Sequence, residues 1–188
     1  TEVEGFLEGE DSLATLQAFR DMGVVIEGPH HGRVTINGVG LHGLQAPPGS
    51  LYLGNSGTSM RLLSGLLAGQ DFDTVLTGDA SLSKRPMGRV AKPLREMGAQ
   101  IDTGEEGRPP LRIKGGSRMM GMDYQMPMAS AQVKSCILLA GLYASGTTSV
   151  TEPAPTRDHT ERMLKGFGYP VKVDGATATI ESGHTLKA

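Results

Sequence analysis

The 188-residue sequence predicts a mixed α/β (α+β) fold made of repeated βαβαββ units. Three observations predict it. First, LQAFRDMGVVIE (residues 16–27), LREMGAQID (94–102) and MLKGFGYPVKV (163–173) each read as a helix tail closed by glycine, at Gly23, Gly98 and Gly168. Second, each tail runs into a short strand and, after a turn, a second one: GRVTING (32–38), LRIKGG (111–116) and ATATIESG (176–183). Third, two units carry a front half in which apolar residues at helical spacing lead into a strand. The closing glycines recur roughly every 70 residues, the length of one supersecondary unit.

The first unit, about residues 1–45, holds only the second half of the pattern. Within it, Asp11 or Ser12 is expected to cap a helix with Leu13, Leu16 and Phe19 inside. The absent front half, and Thr1 where a natural start would carry Met, suggest a fragment or excised domain. The second unit spans about 48–116. There, LYLGNSGTSMRLL (51–63) reads as strand, glycine-rich turn and helix, with Met60, Leu63 and Leu67 on one face. DTVLTG (73–78) is the next strand, and Pro86 suits the first turn of the helix that Gly98 closes. In that helix Arg95 and Glu96 read as plain surface. The third unit spans about 121–183. Ser130 caps a helix with Val133, Cys136, Ile137 and Ala140 on its apolar face, and GTTSVTE (146–152) follows as a strand. Thr156 or Asp158 then caps the last helix, with Glu161 placed for a capping box. Residues 1–188 together are expected to form a single body, one lobe of three such units.

The totals bound the function. A net charge of −2 gives no global basic field, so no nucleic-acid partner is expected and any anion site must be local. The single cysteine excludes an internal disulfide framework and a thiolate zinc cluster, and the five histidines lack metal-ligand spacing, so no metal or cofactor is expected. The longest apolar run, CILLAGLYA (136–144), is far shorter than the roughly 20 residues that span a bilayer. A soluble, cytoplasmic protein with no membrane partner is the expectation.

Four loop-to-helix junctions could carry chemistry. LYLGNSGTSMRLL offers free N–H groups at a helix start, with Gly54 and Gly57 allowing close approach of a ligand; an ordinary glycine-containing turn is the alternative. MASAQVKS (128–135) places Gln132 and Lys134 in a first turn, where a lysine opposes the helix dipole. That lysine is either solvated or beside an anion. APTRDHTERML (154–164) puts Arg157 at a helix start and His159 where it could act as a base or sit idle on the surface. In LTGDASLSKRPMGRVAKPLREMG (76–98), Lys84 and Arg85 precede Pro86. Cations at several helix starts, in a chain without net positive charge, point to bound phosphate or carboxylate.

GNSGTSMRLL, GDASLSKRPMGR, PLREMGA, SAQVKS and RDHTERML, in this order over nearly the whole chain, closely resemble the 5-enolpyruvylshikimate-3-phosphate synthase family. SAQVK and RDHTE resemble its bacterial class II branch. The resemblance implies transfer of the enolpyruvyl group of phosphoenolpyruvate to the 5-hydroxyl of shikimate 3-phosphate, with release of phosphate, in the shikimate pathway to aromatic amino acids. It also implies two similar lobes, each of three βαβαββ units around a pseudo-threefold axis, with the active site between them. This chain then resembles one lobe without its first strand and helix, and the second lobe is its expected partner.

Carried over by motif, Gly57, Arg85 and Gln132 are implied contacts of phosphoenolpyruvate. Ser130, Ala131, Gln132, Thr156 and Arg157 are implied contacts of shikimate 3-phosphate. Catalytic acid and base groups belong to the other lobe, so none is assigned here, and the isolated chain is expected to be inactive. The family's Lys-Ser pair and following Arg are absent from this chain. Leu62 stands where many class I members have Pro, and Gly57 where some glyphosate-tolerant class II members have Ala, so Gly57 leaves room for that inhibitor. Two alternatives stand beside this reading. One is a lobe of the related UDP-N-acetylglucosamine enolpyruvyl transferase, which uses a mobile-loop Cys; Cys136 reads instead as a buried helix residue. The other is a non-catalytic phosphate-binding or assembly module of a split enzyme.

Overall fold

The computed structural model describes all 188 residues, Thr1–Ala188. Strand β1 (Glu2–Val3), helix α1 (Glu10–Asp21) and strands β2 (Val25–His30) and β3 (Arg33–Asn37) come first. Next are β4 (Leu51–Tyr52), α2 (Gly57–Ala68), β5 (Thr74–Thr77), α3 (Gly88–Glu96), β6 (Gln100–Asp102) and β7 (Leu111–Lys114). The chain ends with β8 (Asp123–Gln125), α4 (Ala131–Gly141), β9 (Thr147–Thr151), α5 (His159–Gly166), β10 (Lys172–Asp174) and β11 (Thr177–Glu181).

The strands form three sheets, ordered β1-β3-β2, β4-β5-β7-β6 and β8-β9-β11-β10. In each four-stranded sheet the first two strands are parallel and joined through a helix, with Leu51 opposite Leu76 and Asp123 opposite Ser149. The other pairs are antiparallel. In the small sheet β1 pairs antiparallel with β3, as β5 does with β7 and β9 with β11. Gly23, Gly98 and Gly168 follow their helices with φ of +90°, +107° and +80°, a region where a side chain is strained. Arg20 and Arg95 each reach six residues on, both donating through Nε and Nη2 to a strand carbonyl, of Ile26 and Ile101. Arg95 is therefore exposed but not plain surface: it ties the end of α3 to β6.

Helices α2, α3 and α4 pack on one another in the middle, and the sheets lie outside them. Burial alternates along β7 and β11, apolar side inward. α2 and α4 are buried on most of their circumference, which suits GTSMRLLSGLLA and AQVKSCILLAG, segments with a single charge each. They approach closely at Gly65, where a Cβ would run into the Cys136 carbonyl. The Cys136 side chain is fully buried, and burial pushes its thiol far above the usual range. It is a small packing residue rather than a loop nucleophile.

Three helix starts differ from the sequence expectation. α1 begins at Glu10 after an extended Gly9 without a side-chain cap, so Asp11 and Ser12 lie inside its first turn, where Glu10 and Asp11 complement the dipole. α3 begins at Gly88, two residues after Pro86, because the Met87 N–H is held by the Gly107 carbonyl at 2.7 Å. α5 begins at His159 with Asp158 at the cap position but making no cap bond. Asp158 pairs instead with Arg162 at 3.0 Å, and Glu161 turns inward, so no capping box forms. No helix is long and apolar enough to cross a membrane.

Candidate functional site

The site begins where β4 ends. Gly54 takes φ +58°, the chain turns, and Ser56 caps α2 by accepting the Ser59 N–H at 3.0 Å. The turn is stitched to the loop after β5. Leu53 N–H donates to the Thr77 carbonyl and Asp79 N–H to the Gly54 carbonyl, both at 2.8 Å. The Asn55 amide donates to both Asp79 carboxylate oxygens at 3.2 Å, and Asp79 also accepts the Leu82 N–H at 2.8 Å. The Leu82 N–H and then the Asn55 amide hold the Asp79 carboxyl below its ordinary range. Through these bonds the loop that carries Arg85 is fixed against the start of α2.

The consequence is a cation cluster over the first turn of α2. A Cβ on Gly57 would strike the Arg85 guanidinium and come within 3.2 Å of Arg61 Nη1. Glycine here gives room to the guanidinium groups and is not needed for backbone freedom. Arg61 lies one helical turn after Gly57, on the same face. Burial and then the charges of Arg85 and Arg89 pull the Arg61 guanidinium below its ordinary pKa. All five ion pairs of the protein lie elsewhere, so Arg61, Arg85 and Arg89 face no carboxylate. Neither α2, α3 nor α4 has an acidic residue in its first turn. Free N–H groups, a positive dipole end and unpaired guanidinium groups together form an anion cradle.

Gln132 joins this cradle to α4. Its Oε1 accepts from Arg61 Nη1 at 2.6 Å, and its Nε2 donates to Thr58 Oγ1 at 2.7 Å. Ser130 caps α4 as expected, accepting the Val133 N–H at 3.2 Å, and Ala131 is the first helical residue. A groove of about 260 Å³ runs from Arg89 and Lys92 on α3 to Tyr124, Met126 and Ser130. It places the serine and the cations on one surface. Gly57, Arg85, Gln132 and Ser130 are thus gathered, with Thr58, Arg61 and Arg89 added to them.

Thr156 is tied less directly. Its N–H and hydroxyl donate to Glu152 Oε1 at 2.6 and 2.8 Å. Glu152 Oε2 in turn accepts from Lys134 Nζ at 2.8 Å. Arg157 is exposed and makes no ion pair. His159, also exposed, is the first residue of α5. Lys134 is not solvated: it is 1% exposed and also bonds Glu161 at 3.0 Å, so the anions beside it are the protein's own carboxylates. One buried carboxylate, Glu161, and one partly buried one, Glu152, outweigh the dipole that disfavours a cation in the first turn of α4. Sequence spacing could have found Arg61, one turn from Gly57; nothing local in the sequence marks the Lys134 partners, which come from the residue after β9 and from α5. No group of three or more His, Cys, Asp or Glu side chains is placed to hold a metal ion.

Three comparisons bear on the chain as a whole. The family model for EPSP synthase (3-phosphoshikimate 1-carboxyvinyltransferase) matches residues 1–188. A 3-phosphoshikimate 1-carboxyvinyltransferase of Methylococcus capsulatus is 72% identical over the whole chain, and one of Alkalilimnicola ehrlichii is 67% identical. The chain spans 43% and 42% of the lengths of these two relatives. A solved EPSP synthase of Acinetobacter baumannii superposes with a TM-score of 0.99 at 69% identity, covering all of this chain and 42% of that one.

Proposed function

The chain belongs to the EPSP synthase family and has the fold of one lobe of an enolpyruvyl transferase; on that premise we propose that it supplies the phosphoenolpyruvate- and shikimate-3-phosphate-binding face of a two-lobed 3-phosphoshikimate 1-carboxyvinyltransferase. The observation that carries this reading is the unpaired Arg61–Arg85–Arg89 cluster over Gly57, linked through Gln132 to the capped start of α4. We further propose that residues 1–45, 48–116 and 121–183 are three copies of one structural unit, the first incomplete.

In the reaction the 5-hydroxyl gives up its proton to a base as its oxygen bonds to C2 of phosphoenolpyruvate, while the methylene carbon C3 gains a proton from an acid. Loss of a C3 proton with departure of phosphate then restores the double bond. Both substrates are anions. In this reading the Arg85 guanidinium, with Arg61 behind it, takes the phosphoenolpyruvate phosphate or carboxylate, and Gly57, whose N–H is already held by the Asn55 carbonyl at 3.1 Å, lets the ligand approach the helix start closely. Gln132 touches both substrates. The Ser130 hydroxyl, the Ala131 N–H, Thr156 and Arg157 hold shikimate 3-phosphate. These groups orient and neutralise charge; a second lobe brings the proton-transferring groups and closes the cleft against water. The workplace proposed for it is the cytoplasm.

Calorimetric titration of shikimate 3-phosphate into the chain, with and without the remaining part of a relative, tests the division of labour. Weak binding alone and tighter binding with the second lobe are expected, with phosphate release only from the pair. Turnover by the 188-residue chain by itself would sink the proposal.

A further inference from the structure

Resting on that reading of function, we propose that Lys134 is a positioning residue: one buried ammonium that locks the Thr156–Arg157 loop to the first turn of α4 and so holds the shikimate-3-phosphate side of the site in register with the phosphoenolpyruvate side. Residues two apart on a helix point to nearly opposite sides. Gln132 accordingly reaches α2, bonding Arg61 and Thr58, while Lys134 reaches the other way, to Glu152 and Glu161. The first turn of α4 is the crosspiece between the two halves.

Glu152 is the hinge of the lock. It follows β9 directly, with its own N–H held by the Ala176 carbonyl at 3.0 Å. One carboxylate oxygen takes both donors of Thr156, closing the loop over Pro153, Ala154 and Pro155; the other takes Lys134. Glu161 joins from α5 on the same ammonium, and Thr160 Oγ1 donates to Ser135 Oγ at 2.7 Å beside it. Without Lys134, two carboxylates within 3.0 Å of one nitrogen position would face each other in a buried place. Glu161 Oε1 already has no hydrogen-bond partner. Glu152, the less buried of the two, would swing outward and release Thr156.

The test uses the full-length enzyme that carries this chain, with steady-state kinetics and amide hydrogen exchange over residues 152–158. Lys134→Met and Glu152→Leu are expected to raise the KM for shikimate 3-phosphate by about tenfold and to speed exchange of the Thr156 N–H, because a hydrogen bond to a charged group is lost. Glu152→Gln keeps an oxygen for Thr156 and should leave both within about threefold of wild type. Lys134→Met/Glu152→Gln, which removes the repulsion while keeping that oxygen, should recover most of the loss. Glu161→Gln should lower stability without moving KM. A purely structural role would make KM follow stability across the whole set, and that pattern overturns the proposal. So does unchanged Thr156 exchange in Glu152→Leu, which remains informative if Lys134→Met fails to fold. Absence of turnover by wild type with these two substrates would refute the reading of function, while the exchange data would still decide the lock.

Discussion

Replacing Gly57 by Ala tests the cradle most directly. The added Cβ would lie 2.9 Å from Arg85 Cζ and 3.2 Å from Arg61 Nη1. Carbon atoms in comfortable contact stand about 3.5–4.0 Å apart, so the Arg85 guanidinium must withdraw by roughly 0.6–1.1 Å. Arg85 is exposed and its side chain is long, so the fold absorbs this easily. Ala in a helix start is, if anything, better than Gly by up to about 1 kcal/mol. The ligand contact is less forgiving. Charge-assisted hydrogen bonds span only about 2.7–2.9 Å, and losing one costs about 1.5–3 kcal/mol, or roughly 10- to 150-fold. In the full-length enzyme, kcat/KM for phosphoenolpyruvate should therefore fall by at least about tenfold. The melting temperature should stay level or rise, and the KM for shikimate 3-phosphate should move less than about threefold. Steady-state kinetics with each substrate varied, plus a thermal melt, read all three. An unchanged kcat/KM for phosphoenolpyruvate would refute the assignment of Arg85 and the argument from Gly57.

Other changes should be as specific. Arg61→Met should lower kcat/KM for phosphoenolpyruvate by about tenfold with no loss of stability in a urea melt, since it removes a half-buried, repelled cation along with the Gln132 bond. Lys134→Met should cost about 3–5 kcal/mol in the same melt, the range for orphaning a buried charge, unless Glu152 and Glu161 are neutralised too. Stability should also depend on pH through this triad. For Glu152, burial alone would raise the carboxyl, but the bonds from Lys134 and Thr156 outweigh it and set it below its ordinary 4.5. A folded value below the unfolded one means stability is present above about pH 4.5 and lost as pH falls through the folded value. For Lys134, burial would lower the ammonium, but Glu152 and Glu161 raise it above its ordinary 10.5. Its contribution is present below that value and lost as pH rises through the folded one. Urea melts from pH 3 to 11 should decline at both ends, and Glu152→Gln should flatten the acid side; an unaltered acid limb contradicts the linkage.

The sequence was most informative where structure is local. Gly23, Gly98 and Gly168 marked helix ends because only glycine takes that backbone conformation without strain, whatever surrounds it. Ser130 was legible as a cap because its hydroxyl accepts the N–H of Val133, three residues on, another local effect. Asp11, Ser12, Pro86 and Asp158 misled because other groups competed with their preferences: Glu10 opens α1 one residue earlier, the distant Gly107 carbonyl holds Met87, and Arg162, one turn on, takes the Asp158 carboxylate. In the site, Gly57, Arg85 and Gln132 stood out by motif, whereas Arg61 was marked only by its spacing from Gly57, within apolar residues that read as a core helix. Its role rests on Arg85 arriving from the loop after β5, a contact set by sheet pairing and not by neighbours in sequence.

Lysine and arginine carry the same formal charge in this chain, and the fold uses them in opposite ways. Lys134 is buried and paired with two carboxylates, where a point charge on a flexible stem suits a lock. Arg61, Arg85 and Arg89 are left unpaired near one another, at the positive end of a helix, in a chain whose net charge is −2. Twenty acidic residues were available to neutralise them. Burial first, and then repulsion from Arg85 and Arg89, lower the Arg61 pKa, and the repulsion is a standing penalty on the unliganded state. An arrangement that lowers stability persists where binding uses it. A dianion entering the cradle removes the repulsion and gains the attraction at once, so the penalty becomes part of the affinity. The same logic predicts the effect of salt. Raising ionic strength should screen the exposed arginines, weaken phosphoenolpyruvate binding in the full-length enzyme and slightly stabilise the free chain, while leaving the buried Lys134 lock unmoved. Affinity measured by titration and stability measured by urea melt should therefore move in opposite directions between about 0.05 and 0.5 M salt. If both rise or both fall, the cluster is not held in unrelieved repulsion, and the argument for an anion at Gly57 loses its energetic basis.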